Sequence, residues 1–155
     1  AQRESVMWQT KQQAAIEYGN TIHEILSYIS NPSDSKLAVE KALENGLIIP
    51  SQKAEIAQVI SEIVGHSDLT DFFNPQNKVV NEQTIIHKNV GLLKPDRMVI
   101  SSTNEVYLLD YKTGAYHAKH QTQLDNYQTA IESMGYRVVK KALIYIGENI
   151  EIVNL

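Results

Sequence analysis

The chain has 155 residues, with 14 Lys and Arg against 18 Asp and Glu, a net charge of −4, and no cysteine. That length suits one domain with a core large enough to fold without staples. Zero Cys excludes a disulfide scaffold, a thiolate zinc site, a cysteine-ligated iron–sulfur cluster and a cysteine nucleophile, and it fits a reducing, cytoplasmic setting.

The net charge argues against a protein that grips nucleic acid by bulk positive charge. It is unevenly spread, however: residues 1–77 hold 5 basic and 10 acidic side chains, residues 78–155 hold 9 and 8. No apolar run approaches the ~18 residues a membrane span needs. The N-terminus lacks the basic-then-apolar pattern of a secretory signal and begins without Met, so the expectation is a piece of a longer polypeptide. No internal repeat or low-complexity segment occurs.

Residues 1–77 read as helical. Over about 4–30, Met7, Ala14, Ala15, Tyr18, Ile22, Ile25, Leu26 and Ile29 recur close to a 3.6 period. Gly19 costs that helix roughly 1 kcal/mol relative to Ala, so a close packing contact or a bend is expected there. Asn31-Pro32-Ser33 ends it. A second helix is expected over about 34–45, with Leu37, Ala38, Ala42 and Leu43 inward and Gly46 as its stop. A third follows Pro50, capped by Ser51, with Ile56, Val59, Ile60, Ile63 and Val64 inward and Gly65 as its end. Residues 67–73 suit one further short helical turn.

From residue 78 the period changes. Residues 78–86, 94–101 and 105–112 are short and rich in Val, Ile, Leu and Tyr, as strands are. Turn-sized linkers at 87–89 and 102–104 suit antiparallel neighbours. Residues 119–134 return to helical spacing, with Leu124, Tyr127, Ala130, Ile131 and Met134 on one face and Gly135 as the stop. Residues 137–146 and 149–153 read as two closing strands. Helices, three strands, one helix and two strands make an α/β fold with a mixed sheet. Only Asn74-Pro75-Gln76-Asn77 marks the switch, too short for a linker, so a single domain is expected with a helical layer (1–77) and a core (78–155).

Pro95-Asp96-Arg97 precedes Asp110-Tyr111-Lys112 across a short turn. Asp110 and Lys112 share one face of a strand, because side chains alternate with period 2. The turn sets the two strands side by side, so two carboxylates and one ammonium converge. Such oxygen donors suit Mg²⁺, which binds through one or two carboxylates and completes its shell with water and phosphate. The Lys can orient a water or offset transition-state charge. The plainer alternative is a surface ion pair worth under ~1 kcal/mol beside an ordinary turn.

In combination these residues resemble the PD-(D/E)XK nuclease superfamily, and more closely its RecB-like branch. Asp110-Tyr111-Lys112-Thr113-Gly114 reproduces that branch's D-Y-K-T-G strand. Gln123-Leu124-Asp125-Asn126-Tyr127 supplies its Q-x-x-x-Y helix motif. Residues 19–26, with His23, look like its preceding N-terminal helix. The resemblance implies a restriction-endonuclease-like core. It makes Asp96 and Asp110 metal ligands, with His23 a third and the Tyr111 carbonyl a fourth, for Mg²⁺ with Mn²⁺ as a substitute. Lys112 becomes the catalytic lysine, and Gln123 and Tyr127 support the site or touch the DNA backbone. Glu82 matches an acid that many relatives carry on the first core strand.

Other readings stay open for several of these residues. His23 lies among Ile22, Ile25 and Leu26, where a hydrogen-bonded core histidine is common. Tyr127 suits plain core. His66, His87, His117 and His120 have no ligand-like spacing. Residues 117–121 form a polar, partly basic rim that suits either phosphates or solvent. Arg137, Lys140 and Lys141 suit either DNA or a solvated strand edge.

The activity implied by the resemblance is metal-dependent exonuclease action on DNA, single-stranded or at linear ends. The implied setting is an ATP-dependent helicase–nuclease of double-strand-break repair and recombination. No G-x-x-x-x-G-K-[ST] loop occurs, so the motor would lie elsewhere in the parent chain or on a partner. The alternatives are a stand-alone phage-type recombination exonuclease, a restriction-like endonuclease, or a non-catalytic DNA-binding relative. Zero Cys excludes the iron–sulfur subgroup of the branch.

Overall fold

The structure, a computed structural model, describes residues 2–81, 85–87 and 91–155, with side chains for 6–7, 9–80 and 92–155. Glu82 lies outside the described residues. Helix α1 (Gln2–Ser27) buries Ile22, Ile25 and Leu26, with Ile29 just beyond its end. The apolar period therefore describes its second half. Met7, Ala14 and Ala15 are exposed, the two alanines on the wall of an open cleft shared with Glu55, Gln58 and Val59 of the third helix.

Asn31 stops α1 and starts a short 3-10 turn, Pro32–Asp34, through a capping box. Its Oδ1 accepts from the Ser33 amide at 3.0 Å, and Asp34 Oδ2 accepts from the Asn31 amide at 3.2 Å. Helix α2 (Ser35–Glu44) buries Ala38, Val39 and Ala42. Leu37, expected inward, is 68% exposed, so the helix is rotated by about one residue from the sequence reading. Its small inward side chains let it approach the rest of the layer closely. Helix α3 (Lys53–Val64) follows a second 3-10 turn, Pro50–Gln52, in which Gln52, and not Ser51, reaches back to the Ile49 amide at 3.0 Å. A 3-10 segment, Ser67–Phe73, sinks Leu69, Phe72 and Phe73 into the core.

Among the described residues the main sheet has five strands. In spatial order they are β1 (Lys78–Asn81), β4 (Arg97–Ile100), β5 (Glu105–Thr113), β6 (Arg137–Ile146) and β7 (Ile150–Asn154). Every neighbouring pair is antiparallel except β5 and β6, which are parallel and joined through helix α4 (Ala118–Ser133). A parallel pair needs such a crossover, which is why a helical period interrupts the strands.

The expected strand over 78–86 is divided. Its later part, β2 (Ile85–His87), pairs instead with β3 (Gly91–Leu93) in a separate two-stranded ribbon. Among the described residues the last pair of the β1–β4 ladder is Asn81 opposite Arg97, and Pro95 two residues before Arg97 has no amide hydrogen to donate.

Strand β5 lies at the centre and buries both faces. Leu109 and Tyr111 join Ile22, Leu26, Ile63, Phe72 and Ile144 under the helical layer. Leu108 packs with Leu124, Tyr127, Ala130, Ile131 and Leu143 under α4. Residues of the helical layer and of the sheet thus share one continuous core.

Candidate active site

The β4–β5 ladder pairs Arg97 with Leu109, so Asp96 falls opposite Asp110 one step further on. There side chains take over from the ladder. The Asp96 amide donates to Asp110 Oδ1 at 2.9 Å, and the Tyr111 amide donates to Asp96 Oδ2 at 2.9 Å. Each acid is held by the other strand's backbone, which fixes both carboxyl groups without relying on rotamer preference.

Alternation along β5 turns Asp110 and Lys112 toward α4 and Tyr111 toward α1. Lys112 Nζ lies 3.5 Å from Asp110 Oδ2 and donates to Gln123 Oε1 at 2.5 Å. Asp110 is 1% exposed, and its pKa is pushed up to about 7, first by burial and then by the charge of Asp96. Lys112 and the Asp96 amide counter that rise only in part.

From the other face, α1 brings His23 to Asp96, with Nε2 3.2 Å from Oδ1. The imidazole is part-exposed and sits edge-on to the buried Tyr111 ring, 5.3 Å between centroids. One turn earlier, a Cβ built on Gly19 would overlap the Thr113 methyl group. The glycine is therefore what allows α1 to lie against the end of β5, the close contact expected from its place in the helix. Gly114, at φ +78°, then turns the chain out of β5 toward α4.

Gln123 and Tyr127 stand at i and i+4 on α4. Gln123 orients Lys112, whereas the Tyr127 ring is core and its hydroxyl donates to the Lys94 carbonyl at 3.3 Å. That bond ties α4 to the loop carrying Asp96. Burial raises the Tyr127 pKa, and the charges of Asp110 and Asp96 raise it further. His23, Asp96, Asp110, Tyr111, Lys112, Gln123 and Tyr127 thus come together from four segments of the chain.

Two neighbours of the site stand outside the expected ligand and catalytic set, although His120 belongs to the polar rim expected over 117–121. Arg97 is fully buried and donates to three backbone carbonyls: Nε to Phe72 at 2.8 Å, Nη1 to Ile29 at 2.6 Å and Nη2 to Ser30 at 2.8 Å. Its guanidinium also stacks over Phe73 at 4.2 Å. The signal was present in the sequence, as a cation heading an otherwise apolar strand. The second neighbour, His120, hydrogen-bonds Tyr145 through Nδ1 at 2.8 Å.

The other candidates resolve into structural roles. Nδ1 of His66 and Nδ1 of His117 accept from the Asp68 and Lys119 amides, capping the 3-10 segment and α4. Arg137 pairs with Glu105, Lys140 with Asp71 and Lys141 with Asp125, so this basic run answers the chain's own acids.

The donor set fits a hard divalent cation. Among the described residues no three His, Asp or Glu side chains form a ready-made metal cage. Mg²⁺ does not need one, because it commonly takes one or two carboxylates, with water and substrate phosphate filling the rest of its shell. Asp96 and Asp110 provide that pair. The 3.2 Å between His23 Nε2 and Asp96 Oδ1 also suits neighbouring corners of one coordination shell, since bonds of about 2.1 Å put adjacent octahedral donors about 3 Å apart. Beside these residues a cleft of about 210 Å³ runs between α1 and the start of α4, with Lys112, Asn20 and His120 on its walls.

A family model, that of the PD-(D/E)XK nuclease superfamily, matches residues 2–153. No curated protein matches the chain.

Proposed function

Because the chain belongs to the PD-(D/E)XK nuclease superfamily, we propose that it is a RecB-like DNA exonuclease domain that uses Mg²⁺, or Mn²⁺ in its place. The observation that carries this reading is the reciprocal lock between Asp96 and Asp110, with Lys112 held beside them by Gln123. A cation bound there supplies positive charge against the scissile phosphate and lowers the pKa of the attacking water.

This chain's own groups do the remaining work. Asp110 and Asp96 would hold the cation, and Asp110 would give up the proton that its burial favours. Lys112 stands over the same point, orienting the water and offsetting the negative charge on the phosphoryl oxygens as the water oxygen adds and the ester P–O bond breaks. Gln123 keeps Lys112 from swinging into solvent. His23 and the Tyr111 carbonyl complete the donor set on the α1 side. The proton lost by water passes to solvent or phosphate, and the leaving oxygen takes one up.

The RecB-like assignment is supported by D-Y-K-T-G at 110–114, by Gln123 and Tyr127 one turn apart, and by His23 on the preceding helix. It places the domain in a cytoplasmic helicase–nuclease acting on broken DNA ends, with the motor elsewhere in the parent chain or on a partner. Among the described residues no helix is long and apolar enough to cross a membrane.

The test is cleavage of end-labelled single-stranded and linear duplex DNA, with closed circles alongside. Cutting is expected only with Mg²⁺ or Mn²⁺ and only on substrates with ends. Asp110→Ala and Lys112→Ala should each lower the rate by about 1000-fold. An Asp110→Ala protein that cuts like wild type would sink the assignment.

A further inference from the structure

Lys112 has a neighbour whose placement the nuclease reading leaves unused. On the parallel strand beside β5, Tyr145 is the register partner of Lys112 and points to the same α4 face. Its hydroxyl meets His120 Nδ1 at 2.8 Å, and the two rings lie 5.7 Å apart. His120 is therefore held at the first turn of α4, in the clefts that Lys112 also lines. It lines the clefts on both sides of Lys112: the one it shares with His23 and Asn20, and a second with Lys119, Gln123 and Asn126.

Resting on the nuclease reading above, we propose that His120 contacts the nucleic-acid backbone. Its Nε2 donates a hydrogen bond to a phosphate oxygen next to the scissile position, while Tyr145 fixes the ring through Nδ1. The chemistry is that of a neutral imidazole. In the proposed tautomer the Tyr145 hydroxyl donates to Nδ1 and the ring proton resides on Nε2, the nitrogen left for a ligand. Burial, then Lys112, Lys119 and His117, lower the His120 pKa and favour that neutral form. Lys112 and Lys119 lie in the same cleft wall and supply the positive field that a phosphate needs. A strand lying along both clefts thus meets Lys112 at the cut and His120 beside it.

The experiment is fluorescence anisotropy of a labelled single-stranded DNA oligonucleotide in EDTA, on wild type and on His120→Ala, His120→Gln, His120→Asn and Tyr145→Phe. Gln places its amide nitrogen near the position of Nε2, whereas Asn mimics Nδ1. Expected results are about tenfold weaker binding for the Ala and Asn variants, near wild-type binding for Gln, and a loss of about threefold for Tyr145→Phe. Thermal melts should stay within a few degrees of wild type throughout. A role confined to holding α4 on the sheet predicts the opposite: lowered melts with unchanged affinity. A wild type that cuts DNA, paired with a His120→Ala variant that binds like wild type, overturns this inference and leaves the nuclease reading standing. Equal losses for Gln and Ala overturn it as well. A wild type that neither binds nor cuts overturns both readings.

Discussion

A carboxyl group with 1% of its surface in water has lost most of its hydration, and Asp110 is in that position with a second acid beside it. Its folded pKa of about 7 lies above the ordinary value of 3.8, so between those limits the folded state binds more protons than the unfolded. The stability it contributes is fully present below pH 3.8 and is lost as pH rises through 7. Metal-free protein should therefore lose stability between about pH 4 and 7 in denaturant melts. Asp110→Asn keeps an acceptor for the Asp96 amide and removes the buried charge. It should flatten that decline and stabilise the metal-free protein at pH 8 by about 1–3 kcal/mol, while abolishing the heat of Mn²⁺ binding. A destabilised Asp110→Asn at pH 8 would contradict the account. Asp96, Asp110 and Lys112 were readable as one cluster because strand alternation and a short turn are local rules. The buried clamp of Arg97 and the pairing of His120 with Tyr145 were not, since those partners lie 25 to 68 residues away.

At the scale of elements, the site depends on how closely α1 approaches β5. Gly19→Ala ought to help an isolated helix by roughly 1 kcal/mol. Here the new methyl meets Thr113 Cγ2, so either Thr113 turns its side chain or α1 shifts off the strand carrying Asp110. Overpacking of this kind costs about 1–3 kcal/mol. His23 sits one turn further along, so metal affinity should fall together with stability. Adding Thr113→Ser, which deletes only the clashing methyl, should recover both in calorimetry and melts. Periodicity located α1, α3, α4 and the central strands correctly, because their apolar faces are long. It misjudged the phase of α2, where three small or β-branched residues sit inward and Leu37 outward. It also merged β1 with β2, because strand propensity carries no information about which sheet a segment joins.

On the scale of the whole molecule, a charge of −4 implies little non-specific hold on nucleic acid. Arg137, Lys140 and Lys141 are committed to Glu105, Asp71 and Asp125, and Arg97 is buried, which leaves mainly Lys112 and Lys119 at the clefts. Two phosphate contacts predict a shallow salt dependence, with a slope of log K against log salt of about −1.4 for single strands. A titration between low and physiological salt checks this, and a slope several times steeper would point to a basic surface elsewhere. The Arg97 clamp has one further consequence, in time. The Ile29 and Ser30 carbonyls precede the guanidinium by 68 and 67 residues, and Phe72 precedes it by 25. During synthesis those helix ends emerge first and wait in water. The cation that gathers them arrives beside Asp96, and Asp110 and Lys112 follow later still. The acids thus align only after the ribosome has passed the central strand, and a half-made chain has no blade.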